Sequence, residues 1–176
     1  MVQEATFGSG CFWCIEACYK ELEGIVTVIP GYAGGKTIDP SYREVCNGNT
    51  GHAEVARITF DDDIISYEHL LKVFWFIHDP TQLNRQGYDR GTHYRSVVFY
   101  HSEDQKVKSE LFKKQLEQEK VWDNPIVTEI TQINNYYAAE SYHKDYFELN
   151  PDNPYCQAVV RPKVEEFRKV FEESLR

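Results

Sequence analysis

The sequence predicts a fold of the α/β (α+β) class, and three observations lead there. β-rich runs and amphipathic helical runs alternate along the 176 residues, joined mostly by short links. The composition is 41% hydrophobic and 14% aromatic, which supports a packed core rather than disorder. No repeat, low-complexity run or Pro/Ser-rich linker divides the chain. One domain over residues 1–176 is therefore expected, with the segment 150–176 wrapping as a tail plus a helix. A chain of this length buries roughly 70% of its unfolded surface, so its core needs no disulfide or metal staple.

The elements follow in order. Gln3 to Phe7 reads as a short strand, and Gly8-Ser9-Gly10 as a flexible turn. Phe12 to Leu22 reads as a helix, because Phe12, Ile15, Cys18, Tyr19 and Leu22 fall on one face. Gly24 to Tyr32 is β-rich through Ile25, Val26, Val28 and Ile29. Residues 33–51 form a long polar stretch with Gly34-Gly35, Pro40 and Asn47-Gly48-Asn49, and a stretch of that kind inside a domain usually carries function. His52 to Phe60 alternates, with Ala53, Val55, Ile58 and Phe60 broken by Glu54, Arg57 and Thr59, and reads as a strand. Ser66 caps a helix that reaches Ile77. A second polar loop, 79–92, precedes a strand at Ser96–Tyr100. Ser102 caps a long amphipathic helix to Lys120. Ile126–Ile133 is a strand, and Ala138–Leu149 is helix-like until Asn150-Pro151 stops it. Pro162 opens a terminal helix to Leu175. Helices packed on a mixed sheet are the expected arrangement.

Charge and end composition exclude several functions. The 19 basic and 28 acidic residues leave a net charge of −9, which argues against a nucleic-acid partner. The longest apolar cluster, Val73 to Ile77, is far too short to span a membrane. Met1 to Ala5 has no basic region followed by an apolar one, so no signal peptide is expected and the expected location is cytoplasmic. In that compartment five cysteines, Cys11, Cys14, Cys18, Cys46 and Cys156, read as free thiols, a metal site or redox chemistry rather than as a disulfide framework.

Three of the five crowd together, and Cys11 has a telling position. It follows a Gly-Ser-Gly turn and opens a helix, where unpaired N–H groups and the helix dipole favour a thiolate and lower its pKa. Cys11 and Cys14 have the C-x-x-C spacing of a redox pair. A second such pair is absent, so no metal site is expected. Phe12 and Trp13 cannot both face the core from the start of one helix, which points to a pocket lined by one or both. Glu54 has two readings. It is solvent-exposed if Ala53 and Val55 pack into the core, or partly buried with a raised pKa if the loop 33–51 covers that face. A neutral carboxyl can donate a proton. Tyr42, Asp89 and Tyr94 lie on turn-rich segments and become hydrogen-bonding groups only if the fold gathers them near the thiol.

Six stretches occur in order: Gly10-Cys11-Phe12-Trp13, Gly31-Tyr32-Ala33-Gly34-Gly35, Tyr42-Arg43-Glu44-Val45-Cys46, Gly51-His52-Ala53-Glu54-Val55, Gly91-Thr92-His93-Tyr94-Arg95-Ser96 and Ala139-Glu140-Ser141-Tyr142-His143. Together they resemble the motifs of peptide methionine sulfoxide reductase A, over about residues 6–156. The resemblance implies a two-layer α/β sandwich with a ferredoxin-like core and a mixed sheet. It implies reduction of methionine-S-sulfoxide, free or in proteins, by a Cys11 nucleophile that becomes a sulfenic acid. Phe12 and Trp13 would form the methyl pocket, and Glu54 the acid. Tyr42 and Tyr94 would bond the sulfoxide oxygen, and Asp89 would support the substrate or the site's water. No bound cofactor is implied; thioredoxin or another dithiol would restore the enzyme, which is expected to be a monomer.

The sequence departs from the family pattern at the recycling thiol. Many relatives have Gly where this chain has Cys14, and the Gly-rich tail is missing after Cys156. Cys156 matches the position of a family recycling thiol and is slightly favoured; Cys14, closer to Cys11 in sequence, is the alternative, and a cycle without a second cysteine is the third. Cys18 and Cys46 read as structural thiols. A different function, general thiol–disulfide exchange by Cys11 and Cys14, competes with the reductase reading, although the bulky Phe12-Trp13 between the cysteines speaks against it.

Overall fold

A computed structural model describes residues 1–176. Its elements are β1 (Val2–Ser9), α1 (Phe12–Tyr19), β2 (Ile25–Ala33), α2 (Tyr42–Cys46), β3 (Ala53–Asp61), α3 (Tyr67–Phe76), β4 (Arg85–Gln86), β5 (Asp89–Arg90) and β6 (Ser96–Tyr100). They continue with α4 (Glu103–Gln118), β7 (Glu129–Gln132), β8 (Tyr136–Ala138), α5 (Tyr146–Leu149) and α6 (Arg161–Val170). Six strands make one mixed sheet in the order β7-β6-β1-β3-β2-β8. All neighbours are antiparallel except β6 and β7. That parallel pair needs a crossover, and α4 supplies it. Within the sheet, β1-α1-β2-β3-α3-β6 with the spatial order β6-β1-β3-β2 is the ferredoxin-like arrangement.

The main core lies on the helix-covered face. Phe7, Ile58 and Phe60 of the sheet meet Ile15 and Tyr19 of α1, Leu70 and Phe74 of α3, and Phe167 of α6. The opposite face carries a small cluster of Ala33, Ala53, Val55, Val97 and Phe99. Strand β3 therefore buries both faces at its start. By alternation, Glu54 shares its face with Ala56, Ile58 and Phe60, on the helix side. This settles the sequence-level alternative: Ala53 and Val55 point inward too, but away from the helices, and Glu54 is not on a solvated face.

Four local expectations are revised. The polar stretch 33–51 contains the short helix α2, closed by a capping box between Ser41 and Glu44. The loop 79–92 contains the small β4–β5 hairpin. The expected helix over 138–149 is broken, because Gly31 pairs with Ala138 and draws the segment onto the sheet edge as β8. Asp145, left-handed at φ 56°, then limits α5 to a single turn. The terminal helix starts earlier than Pro162 and ends sooner than Leu175: a π-helical turn over Cys156–Val160 runs into α6, and Leu175 bridges Leu22. No helix is long and apolar enough to cross a membrane.

Candidate active site

Between β1 and α1 the chain turns on Gly10 and Cys11. Gly10 sits at φ +98°, and a Cβ there would lie 2.8 Å from Gln86 Cβ, so both conformation and space require glycine. Cys11 is the N-cap residue of α1, with extended backbone at φ −64° and ψ 127°, and its side chain makes no cap hydrogen bond. The orphan N–H of Phe12 is taken instead by β3: it donates to Glu54 Oε1 at 3.2 Å. Sequence positions 42 apart thus meet at the first turn of α1.

Glu54 is 1% exposed, and its other oxygen, Oε2, has no hydrogen-bond partner. Burial pushes its carboxyl up to about 8, against the Phe12 N–H bond, which favours the anion; the Asp89 charge adds to the rise. The carboxyl is therefore mostly protonated at neutral pH. Cys11 departs from the sequence expectation. Burial, the neighbouring Cys14 thiol and the charge of Glu54 push its thiol up, and the Trp13 N–H only partly offsets them. The helix start does favour the thiolate, but in the unliganded site desolvation outweighs it.

The hydroxyls face the acid. Tyr42 opens α2, its N–H donating to Glu140 Oε2 at 2.9 Å. Tyr94 ends the 3₁₀ turn Thr92–Tyr94. Burial first, and then the neighbouring Glu54 carboxylate, raise both phenols, so each remains an O–H donor. Asp89, on β5, accepts a hydrogen bond from the Tyr155 hydroxyl. Phe12 is fully enclosed and tilts against Tyr32 and His143. Trp13 is half-buried. It stacks on Tyr146 with centroids 3.8 Å apart and rings 5° from parallel, and its Nε1–H donates to His143 Nδ1 at 3.0 Å. Of the two adjacent aromatics, Phe12 is fully buried and Trp13 only partly so.

The cysteines sort by place. Cys11 and Cys14 line the same cavity of about 350 Å³, with Asp89, Tyr155 and Lys163 on its walls. The neighbouring Cys11 thiol, aided by Lys163, holds the Cys14 thiol below its ordinary value against the cost of burial. Cys156 is 0% exposed and does not line the cavity, although it lies near Cys14. Cys18 is equally enclosed. Cys46, at the end of α2, is half-buried beside Tyr42. A larger cavity, about 590 Å³, sits among Glu16, Lys20, Glu21 and Arg168; Lys20 pairs with Asp145, Arg168 with Glu21, Glu16 accepts from the Asp145 N–H, and no cysteine lines it.

A thiol at a helix start, near a buried protonated carboxyl and two phenols, can now be set beside known proteins. The family model described as "Peptide methionine sulfoxide reductase" matches residues 3–175. The chain belongs to the peptide methionine sulfoxide reductase family. It is 50% identical to the peptide methionine sulfoxide reductase MsrA of Natronomonas pharaonis, over 99% of this chain and 98% of that one. The reduced form of Mxr1 from Saccharomyces cerevisiae superposes with a TM-score of 0.82 and 39% identity, covering 88% of this chain and 89% of that one. Mxr1 in complex with Trx2 superposes with a TM-score of 0.59 and 29% identity, covering 81% and 84%.

In this member of the reductase family, Cys11, Cys14 and Asp89 line one cavity, Glu54 is tied to the Phe12 N–H next to Cys11, Tyr42 and Tyr94 lie near Glu54, Phe12 and Trp13 open α1, and Cys156 is enclosed outside the cavity. Sequence reasoning missed four neighbours: Tyr155, which bonds Asp89; His143, which fixes the Trp13 indole; Glu140, which holds both Tyr32 Oη and the Tyr42 N–H; and Lys163 near Cys14. Glu140 and His143 sit within the quoted Ala139–His143 stretch, so a signal for them existed.

Proposed function

We propose that this chain reduces methionine-S-sulfoxide, free or in proteins, to methionine, with residues 1–176 acting as one catalytic domain. One observation carries the residue assignment: a buried, mostly neutral carboxyl, Glu54, is tethered to the same helix turn that presents Cys11. A sulfoxide sulfur is a poor electrophile until its oxygen receives a proton, so thiolate and acid must act on one substrate together. The Cys11 thiolate attacks sulfur while the oxygen takes the Glu54 proton. Methionine departs, and Cys11 holds the hydroxyl as a sulfenic acid. Tyr42 and Tyr94 donate to the oxygen as charge develops on it. Trp13 and Phe12 shape the methyl site, and Asp89 with Tyr155 orients the substrate or its water.

Cys14 is the resolving thiol. Its place beside Cys11 in the same cavity supports that assignment over Cys156, which is enclosed outside it. Condensation of the Cys14 thiol with the Cys11 sulfenic acid forms the disulfide and releases water. A dithiol of the thioredoxin type then takes the disulfide and returns both thiols; the complex of the similar Mxr1 with Trx2 supports this partner. No bound cofactor enters any step. The need for a reducing thiol pool supports a cytoplasmic location. The Cys11–Cys14 contact also favours a second reading, general thiol–disulfide exchange. Two assays separate them. Turnover of a methionine-S-sulfoxide peptide with dithiothreitol, lost in Cys11→Ser and without reduction of insulin disulfides, is the expected result. Insulin reduction without sulfoxide turnover would reverse the assignment.

A further inference from the structure

We propose that Cys46, Glu54 and His93 form a binding site for a soft divalent cation, with zinc as the probe, and that its occupation switches the reductase off. The three residues come from separate segments: the last residue of α2, the start of β3 and the 3₁₀ turn after β5. One donor atom from each lies within 4.8 Å of the other two. Tetrahedral zinc with bonds of about 2.0–2.3 Å sets its donors about 3.3–3.8 Å apart, so side-chain adjustments of roughly 1 Å close the site.

The unmet polar atoms point the same way. His93 Nδ1 and Glu54 Oε2 are both buried with no hydrogen-bond partner, in side chains that are 5% and 1% exposed. Native structures seldom leave a buried carboxylate oxygen unpaired, and a cation among the three donors would satisfy Glu54 Oε2. His93 is fixed where it is by Gly91. At φ +136°, Gly91 leaves space that a Cβ would fill, 2.6 Å from His93 Cε1. Burial also keeps the ring neutral, with a lone pair to offer. Cys46 is half-buried, which leaves an approach from solvent.

The donor set selects the ion. One thiolate, one imidazole and one carboxylate suit zinc or a similarly soft ion; calcium and magnesium require oxygen donors. Three protein ligands leave a fourth position open for water or an exogenous ligand. On binding, Cys46 and Glu54 each release a proton to solvent. Inhibition rests on the reading of Glu54 as the acid in the proposed reaction, since an ion bound there replaces the proton that the sulfoxide oxygen must receive. The binding itself does not rest on that reading.

The test titrates zinc against a chromophoric chelator, using the reduced full chain, and reads sulfoxide turnover in parallel. Wild type, Cys46→Ser, His93→Gln and Cys14→Ser are compared after circular dichroism confirms folding. Cys46→Ser keeps a hydroxyl beside Tyr42, and neither Cys46 nor His93 takes part in the reaction, so zinc-free turnover stays within twofold of wild type in both. The expected result is one equivalent of zinc, weakened at least tenfold by Cys46→Ser and by His93→Gln, with the inhibition midpoint rising in parallel. Cys14→Ser keeps the zinc affinity. Cobalt in place of zinc gives a thiolate charge-transfer absorption that Cys46→Ser removes. Unchanged affinity in Cys46→Ser and His93→Gln, or loss of binding in Cys14→Ser alone, overturns the proposal and assigns the ion to the Cys11–Cys14 pair. If zinc binds as expected while the metal-free protein turns over no sulfoxide, the site stands and the proposed reaction fails.

Discussion

Replacing Glu54 by Gln separates the role of its proton from the role of its shape. Gln keeps the volume and can still accept from the Phe12 N–H, but it has no proton to transfer. General acid catalysis is worth about 10²–10⁴ in rate, so the step that forms the sulfenic acid should slow by at least about 10²-fold at pH 7. Stability should move the other way with pH. The Glu54 carboxyl rises from 4.5 to about 8 on folding. The folded state therefore holds the proton more tightly, and the wild type loses stability as pH rises through the window from 4.5 to about 8. At 1.36 kcal/mol per unit, the loss between pH 5 and pH 7.5 is about 3 kcal/mol. Gln does not titrate, so any fixed cost of burying its amide cancels when the two proteins are compared across pH. The stability of Glu54→Gln relative to wild type should accordingly climb by about 3 kcal/mol over that range. Urea unfolding at several pH values, with dithiothreitol and a chelator present, measures it. Rapid-quench single turnovers measure the chemistry, and the wild type should lose rate above an apparent pKa near 8. A stability difference that stays flat with pH, or a single-turnover rate within twofold of wild type, would refute the protonated-acid argument.

Three further outcomes are expected. In Cys14→Ser, one methionine per enzyme should still form in a burst, but steady-state turnover with a thioredoxin-type dithiol should fall more than about tenfold; mass mapping after one turnover should find the Cys11–Cys14 disulfide in wild type and in Cys156→Ser, and a Cys11–Cys156 bond would transfer the resolving role to Cys156. Tyr42→Phe and Tyr94→Phe each remove one donor to the reacting oxygen and should each lower the single-turnover rate on the order of 10²-fold with folding retained, while unaltered rates in both would remove the phenols from the chemistry. His143→Ala deletes the acceptor of the Trp13 Nε1–H. A net hydrogen bond of ~1 kcal/mol predicts KM raised about fivefold with kcat little changed, and the opposite split would place His143 in the chemical step instead.

The fold class, the strand and helix order and the place of Cys11 were legible in the sequence because they rest on local pattern. The capping box of α2 was visible too, as Ser41-Tyr42-Arg43-Glu44, within a stretch read only as polar. Glu54 was left open for a correctable reason. Ala53 and Val55 were grouped with Ile58 and Phe60, although their positions differ by odd numbers and strand alternation puts them on opposite faces. Counting from Phe60 would have turned Glu54 toward the helices. The segment 138–149 misled because its helical pattern competes with a sheet edge that only the tertiary fold supplies. The Trp13–His143 bond joins residues 130 apart, and the Tyr155–Asp89 bond residues 66 apart. Spacing carries no information about such contacts. Nor did spacing decide between Cys14 and Cys156, since that depends on which sulfur shares the cavity with Cys11.

The opposed forces on Glu54 and Cys11 have a joint consequence. The first turn of α1 offers N–H groups that stabilise one anion, and Glu54 and Cys11 both stand beside them. Burial makes a second negative charge costly: a Glu54 carboxylate raises the Cys11 thiol, and the Asp89 and Cys14 charges raise Glu54. The site therefore holds one negative charge far more readily than two. With Glu54 ionised, its charge adds to burial in keeping the Cys11 proton on; with Glu54 protonated, that repulsion is gone and only burial and Cys14 oppose the thiolate that the helix start favours. The second of these states is the one the reaction consumes, a nucleophile and an acid side by side. Substituting Glu54 by Gln should for this reason lower the Cys11 pKa. A thiol-selective alkylating agent would then modify Cys11 faster in Glu54→Gln than in wild type above pH 8, where the wild-type carboxyl is ionised, even though sulfoxide reduction is slower. Equal or slower alkylation would show that the two groups titrate independently, and the shared-charge argument would fall.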